Sequence, residues 1–182
     1  MTKYAHTEAL VVGGAGGIGL AIAKRLVEGG ATVLLAARTA GERAHAAGEL
    51  GQAARVVAPS GVGAALAACA GDGVDLLFSD AIPVARPLLG HLRDGGALVL
   101  TSPTPCPDAV RALAAELVAR GIRVNAVAPG CIEAPGAGAV PLPPLGRLGA
   151  AEEVARAALF LATEATFTTG ARLPVDGGLG SP

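Results

Sequence analysis

Short aliphatic runs alternate along the chain with Ala-rich stretches whose apolar positions recur every three or four residues. The short runs predict strands near residues 8–13, 32–37, 54–58, 74–79, 97–101, 122–127 and 172–175. The longer stretches predict helices near 18–29, 41–49, 62–70, 83–93, 107–120 and 151–163. A strand-helix rhythm repeated in this way is the mark of an α/β fold, a doubly wound parallel sheet of about seven strands with helices on both faces. Local signals agree with it. Gly29-Gly30 closes the first helix, Gly121 the fifth, and Glu152-Glu153 open the last, where acids are favourable. Residues 131–149 read as an irregular loop over the carboxyl edge of the sheet, because Pro135, Pro141, Pro143 and Pro144 forbid a continuous helix or central strand. No internal repeat or second domain is visible, so residues 1–182 read as one domain.

Composition narrows the partners. The chain is 52% hydrophobic with 2% aromatic residues, which predicts a core of small aliphatic side chains. Lys and Arg number 14 against 15 Asp and Glu, a net charge of −1, and this offers no field for nucleic acid or an anionic membrane. The apolar runs are strand-sized, and no leader pattern precedes them, so a cytoplasmic protein is expected. Cys69, Cys106 and Cys131 are too few and too far apart for a disulfide framework or a metal site, and read as reduced thiols.

The chemistry begins where the first strand meets the first helix. Leu10-Val11-Val12 runs through Gly13-Gly14-Ala15-Gly16-Gly17-Ile18-Gly19 into an amphipathic segment, with Gly14, Gly16 and Gly19 spelling G-x-G-x-x-G. Glycines let the backbone approach a pyrophosphate closely, while the free N–H groups and dipole of the helix start face the anion. A dinucleotide uses this geometry best. At the end of the second strand, Ala37 stands where such folds often carry an acid for the adenosine ribose, and Arg38 and Thr39 follow. An acid there would repel a 2′-phosphate, whereas an arginine pairs with one, so NADP(H) is favoured over NAD(H).

In three blocks the chain resembles the short-chain dehydrogenase/reductase family. Gly13 to Gly19 is similar to the family's T-G-x-x-x-G-I-G loop, with Val12 in place of Thr. Gly121-Ile122-Arg123-Val124-Asn125-Ala126-Val127-Ala128-Pro129-Gly130 is similar to its sixth strand and the turn beside the nicotinamide. Gly146-Arg147-Leu148-Gly149, Glu152-Glu153-Val154-Ala155, Thr169-Gly170 and Pro174-Val175-Asp176-Gly177-Gly178 follow its C-terminal signature. The resemblance implies a Rossmann-type fold and a redox ancestry. It also implies backbone contacts to the cofactor from Ala81, Pro129, Gly130 and Ile132, and a homodimer through the last strand.

The family's catalytic set departs. Aligned on Ala109-Val110-Arg111, its Tyr-x-x-x-Lys falls on Pro103 and Pro107, neither of which moves a proton. Asn-Asn-Ala-Gly becomes Ser79-Asp80-Ala81-Ile82, the helix that carries the catalytic Asn is missing, and Ala134 replaces a Thr in the lid. Two catalytic candidates remain. Ser102 ends the fifth strand where the family has its catalytic serine or the residue next to it, and reads either as a hydroxyl for a substrate carbonyl or as a turn former before Pro103. Asp80 follows the fourth strand at the topological switch point, and reads either as a general acid or base or as a helix cap. Cys106 and Cys131 flank the substrate region without visible activation, and His45 and His91 have no evident partner.

These readings predict an NADP(H)-binding oxidoreductase that moves a hydride to or from a small carbonyl or alcohol with a non-standard proton donor. Two alternatives stay open: an inert NADP(H)-binding or structural subunit, and a non-redox isomerase or lyase on the same fold.

Overall fold

A computed structural model describes residues 3–14, 16–68, 73–103, 105–133 and 141–180. Seven strands form one parallel sheet: β1 (Glu8–Val12), β2 (Thr32–Ala36), β3 (Ala54–Val57), β4 (Val74–Ser79), β5 (Leu92–Leu100), β6 (Arg123–Pro129) and β7 (Arg172–Val175). Their order, β3-β2-β1-β4-β5-β6-β7, reverses direction between β1 and β4. The helices are α1 (Ile18–Glu28), α2 (Ala40–Leu50), α3 (Val62–Ala67), α4 (Ile82–Ala85), α5 (Pro107–Leu117) and α6 (Ala151–Thr163).

Register turns the apolar runs into two cores. Leu10 lies level with Leu34 and Leu77, Leu77 with Leu98, and Leu98 with Val124, so one row of side chains meets α3 and α5 through Val62, Val110 and Leu113. The next row, Val11, Leu35, Phe78 and Val99, faces the other way and meets Ile22 and Leu26 of α1 and Val154 and Ala158 of α6. Strands covered on both faces cannot alternate polar and apolar residues, which is why they read as continuous runs. In α5 the buried positions Val110, Leu113, Ala114 and Leu117 follow helical spacing and leave the opposite face to solvent.

One expected element is corrected. The helix expected over 83–93 is the four-residue α4 followed by a 3-10 turn, Arg86–His91, and β5 starts at Leu92 instead of 97. Pro87 explains the break: it lacks an N–H, and its ring would strike the carbonyl of residue 83 in an α-helix. The short connection still covers the sheet, since Ala85 and Leu89 are buried in the core. Of the segment expected to be an irregular loop over 131–149, residues 134–140 lie outside the described residues, and its ends are laced together where Gly149 N–H donates to the Cys131 carbonyl at 2.9 Å and Glu133 N–H to the Gly149 carbonyl at 2.8 Å. Among the described residues, no helix is long and apolar enough to cross a membrane.

Candidate functional site

Five residues join β1 to α1, and the helix start is left open. Its N-cap is Gly17, no side chain caps it, and its first turn holds no acid, so the N–H groups and positive end of the dipole face outward. The turn is held tight by close approach. A Cβ on Gly19 would lie 1.9 Å from the Gly14 carbonyl oxygen, and one on Gly13, whose φ is +96°, would lie 2.1 Å from Asp80 Cγ. Gly16, by contrast, has open space on its Cβ side. A helix start with open N–H groups and no acid in its own first turn is suited to an anion. Ala15 lies outside the described residues.

Beside this cradle, at the β1/β4 switch point, is a pocket of about 320 Å³. Val12, Ala36, Pro59 and Val62 give it apolar walls, and Arg38 and Asp80 also line it. Arg38 is exposed, and its guanidinium has no ion pair among the described residues. Thr39 caps α2 in a reciprocal box: Glu42 N–H donates to Thr39 Oγ1 at 3.1 Å, and Glu42 Oε2 accepts from Thr39 N–H at 3.1 Å. Oε2 also accepts from Arg38 N–H at 3.0 Å. These backbone donors, that of Thr39 first, hold the Glu42 carboxyl below the usual carboxylate range. Arg43 donates to the Arg38 carbonyl at 3.1 Å, fixing the strand end from below. Glu42 and Arg43 escaped the sequence reading, although Thr39-x-x-Glu42 has the spacing of a capping box.

The fourth strand's end meets Gly13 because Val12 pairs with Ser79, bringing the next residue of each strand together. Ser79, fully buried, donates its hydroxyl to the Ala81 carbonyl at 3.0 Å and shapes the turn. Asp80 caps no helix, since the N-cap of α4 is Ala81 and no side chain bonds there. Asp80 Oδ1 is buried with no hydrogen-bond partner. Ser102 lies two residues beyond β5, half-buried, and lines neither the Asp80 pocket nor the one described next. Neither of these two pockets therefore holds both catalytic candidates. Pro103 sits in the bend after Ser102, and Pro107 is the first residue of α5.

The end of β6 builds a second wall. Gly130 N–H donates to the Val175 carbonyl at 3.0 Å, and Ile132 bridges Gly149. A pocket of about 340 Å³ opens here, with Cys131, Ile132, Arg147 and Glu153 among its lining. Arg147 grips Glu153 through two 2.8 Å bonds, and with the Ala150 N–H it draws the Glu153 carboxyl down to about 2. Cys131 is half-buried, Cys106 is exposed, and both are free thiols; Cys69 and Ala134 lie outside the described residues.

Known proteins share this architecture. Residues 7–66 match the short chain dehydrogenase family model, and residues 106–180 match that of enoyl-(acyl carrier protein) reductase. Cis-4-hydroxycyclohexanecarboxylate dehydrogenase of Sinomonas cyclohexanicum is 30% identical over 241 aligned positions, covering 96% of this chain and 97% of that enzyme. The chain belongs to the short-chain dehydrogenase/reductase family. An alignment of 241 positions exceeds the 182 residues here, so that family member carries segments with no counterpart in this one. The 3-oxoacyl-(acyl-carrier-protein) reductase of Thermotoga maritima is 49% identical over 76 residues, 36% of this chain. That match spans 31% of the reductase, about a third of its length. Among solved structures, L-sorbose reductase from Gluconobacter frateurii, complexed with NADPH and L-sorbose, superposes with a TM-score of 0.82 at 23% identity. The superposition covers 100% of this chain and 99% of that one. A short-chain dehydrogenase/reductase of Serratia marcescens reaches 0.84 at 23% identity, over 98% and 100% of the two chains. Both likenesses are those of the fold.

Proposed function

We propose that residues 1–182 act as one dinucleotide-binding unit that takes NADP(H) in preference to NAD(H) and serves hydride transfer to or from a small carbonyl or alcohol. The observation that carries this reading is the uncapped, acid-free start of α1 behind a glycine turn, with Arg38, which makes no ion pair among the described residues, beside it. In this reading the backbone from Gly13 to Gly19 and the first turn of α1 hold the diphosphate. Arg38 and Thr39 take the 2′-phosphate, in which two charge-assisted bonds from a guanidinium favour the phosphorylated cofactor. Ala81, Pro129, Gly130 and Ile132 shape the nicotinamide end through their backbone. Bound there, the nicotinamide supplies the hydride chemistry, and the protein's task is to orient it and handle one proton. Ser102 is the hydroxyl nearest in role, holding the substrate oxygen at the end of β5. Support for the cofactor class comes from solved structures of the same fold that hold NADPH.

The test is binding by calorimetry. Unmodified protein should bind NADPH more tightly than NADH, and Arg38→Ala should weaken NADPH about 10- to 100-fold with little change for NADH. Equal affinity for both cofactors refutes the preference, and no association with either refutes the whole reading. Oxidation of NADPH by a panel of ketones then separates turnover from binding alone.

A second reading has its own observation. Pro103 and Pro107 stand where the family resemblance puts the proton-moving Tyr and Lys, which favours a subunit that binds NADP(H) without turning over. Cofactor-dependent thermal protection without ketone reduction would select it. The protein is proposed to act in the cytoplasm as a homodimer through the edge strand β7; light scattering showing monomer alone would refute the dimer.

A further inference from the structure

The last turn of α1, the helix α6 and the segment before β1 line a third pocket, of about 400 Å³. It shares no lining residue with the two described above. Arg25 reaches it from a position about 10 Å along α1 from the open helix start. Tyr4 is fixed at its edge: the Tyr4 N–H donates to the Gly29 carbonyl at 2.7 Å, and a Cβ on Gly29 would lie 2.1 Å from Tyr4 Cδ2, so glycine gives the ring its seat.

The charges that line this pocket are Lys3, Arg25 and Arg156 against Glu28 and Glu164. Glu164 is already taken, since Lys3 Nζ donates to its Oε1 at 2.6 Å while lying 5.4 Å from the centre of the Tyr4 ring. Glu153, one turn before Arg156 on α6, is held by Arg147. Glu28, one turn beyond Arg25, is exposed and forms no ion pair with it. Two guanidiniums therefore line one pocket, and among the described residues neither has an acceptor. Arg25 is half-buried and its Nε is sealed from solvent with no hydrogen bond. A guanidinium cannot give up its proton to escape such a place, so the donors stay and the missing part is the acceptor.

We propose that this pocket binds a small organic anion, a carboxylate or a phosphate ester, held between Arg25 and Arg156. A planar guanidinium pairs with either head group through two charge-assisted bonds. Leu159 backs the pocket with apolar surface, and its volume limits the ligand to a small molecule. The site is separate from the dinucleotide site and does not depend on the function proposed above.

NMR titration of the full chain with succinate and with glycerol 3-phosphate tests this, with glycerol as the uncharged control. The Arg25 Nε–H resonance, slow to exchange because it is sealed from solvent and identified by its loss in Arg25→Lys, should shift saturably with at least one anion and not with glycerol. A dissociation constant on the order of 1 mM or tighter is expected from two charge-assisted bonds, and the tighter anion identifies the head group. By calorimetry, Arg25→Gln and Arg156→Gln should each weaken that anion about 10- to 100-fold, and Arg25→Lys, which keeps the charge without the fork, should weaken it less. Arg55→Gln, at an exposed arginine of β3 outside the pocket, should stay within about twofold. Melting without ligand checks that each variant folds; Arg156 is exposed, so Arg156→Gln carries the comparison if Arg25→Gln does not fold. An Arg25 resonance unmoved by both anions at about ten times that concentration, an equal shift with glycerol, or equal losses in Arg55→Gln and Arg156→Gln overturns the proposal. NADPH titrated into the same sample stands or falls separately, so failure of this site and failure of the dinucleotide reading are told apart.

Discussion

Replacing Gly19 by Ala tests whether the turn is held by close approach or by flexibility. The added Cβ would lie 1.9 Å from the Gly14 carbonyl oxygen, against the roughly 3.5 Å at which such atoms rest, so the turn or the helix start must withdraw by more than about 1 Å. Strain of this kind costs about 1–3 kcal/mol, and the gain in helix propensity from Gly to Ala offsets up to about 1 kcal/mol of it. A net loss of about 2 kcal/mol lowers the melting temperature of a chain this size by roughly 4–8 °C. Dinucleotide affinity should fall further, on the order of 100-fold, because a displacement of about 1 Å takes the amides out of line with the diphosphate. Gly16→Ala is the control. Its Cβ meets no atom within 4 Å and its φ is not among the positive ones, so its melting temperature should stay within about 2 °C. Calorimetric melting and cofactor titration of both variants decide the matter. Equal behaviour of the two glycines would refute the argument from close approach.

Asn125→Ala should destabilise the protein by about 1–3 kcal/mol in urea unfolding, because it leaves the Thr168 carbonyl and the Ala171 N–H, bonded at 2.9 and 3.0 Å, without their buried partner. A change below about 0.5 kcal/mol would count against it. Glu153 governs part of the acid limb. Its carboxyl is depressed to about 2 from an ordinary 4.5, so its contribution to stability is present above pH 4.5 and is lost as pH falls through about 2. Stability measured against pH should therefore separate unmodified protein from Glu153→Gln at neutral pH and bring them together toward pH 2; parallel curves across that range would sink the assignment.

The inner strands were legible because parallel strands covered on both faces are largely apolar, and each such run is bounded here by glycine, proline or charge. The link between β4 and β5 was not. Ile82 to Arg93 has helical apolar spacing, and the spacing outweighed Pro87, which converts the second half to a 3-10 turn and lengthens β5 backward to Leu92. The glycine turn into α1 was legible in the sequence, since its backbone geometry is local. The meeting of Gly13 with Asp80 was not, because it depends on the register of two strands far apart in the chain, Val12 level with Ser79. A one-residue slip would have turned Asp80 to the other face of the sheet. Glu42 was legible in principle from its spacing to Thr39, yet its second bond, to the Arg38 N–H, needs the bend between β2 and α2.

Shortening and stability are compatible here for a physical reason. The cores on the two faces of the sheet are made by seven strands and by α1, α2, α3, α5 and α6, and these elements are all present. What is brief is a connection: α4 and its 3-10 turn span the carboxyl end of β4 and the start of β5, and they still bury Ala85 and Leu89. Connections beyond the strand ends contribute little to the core, but they carry the side chains that surround a substrate. A chain can therefore lose much of that outer layer and keep the cradle, whose amides belong to α1 and the turn behind it. In the proposed function, binding and turnover thus rest on different parts of this molecule, the first on elements the core stabilises and the second on Ser102 and whatever moves the proton beside it.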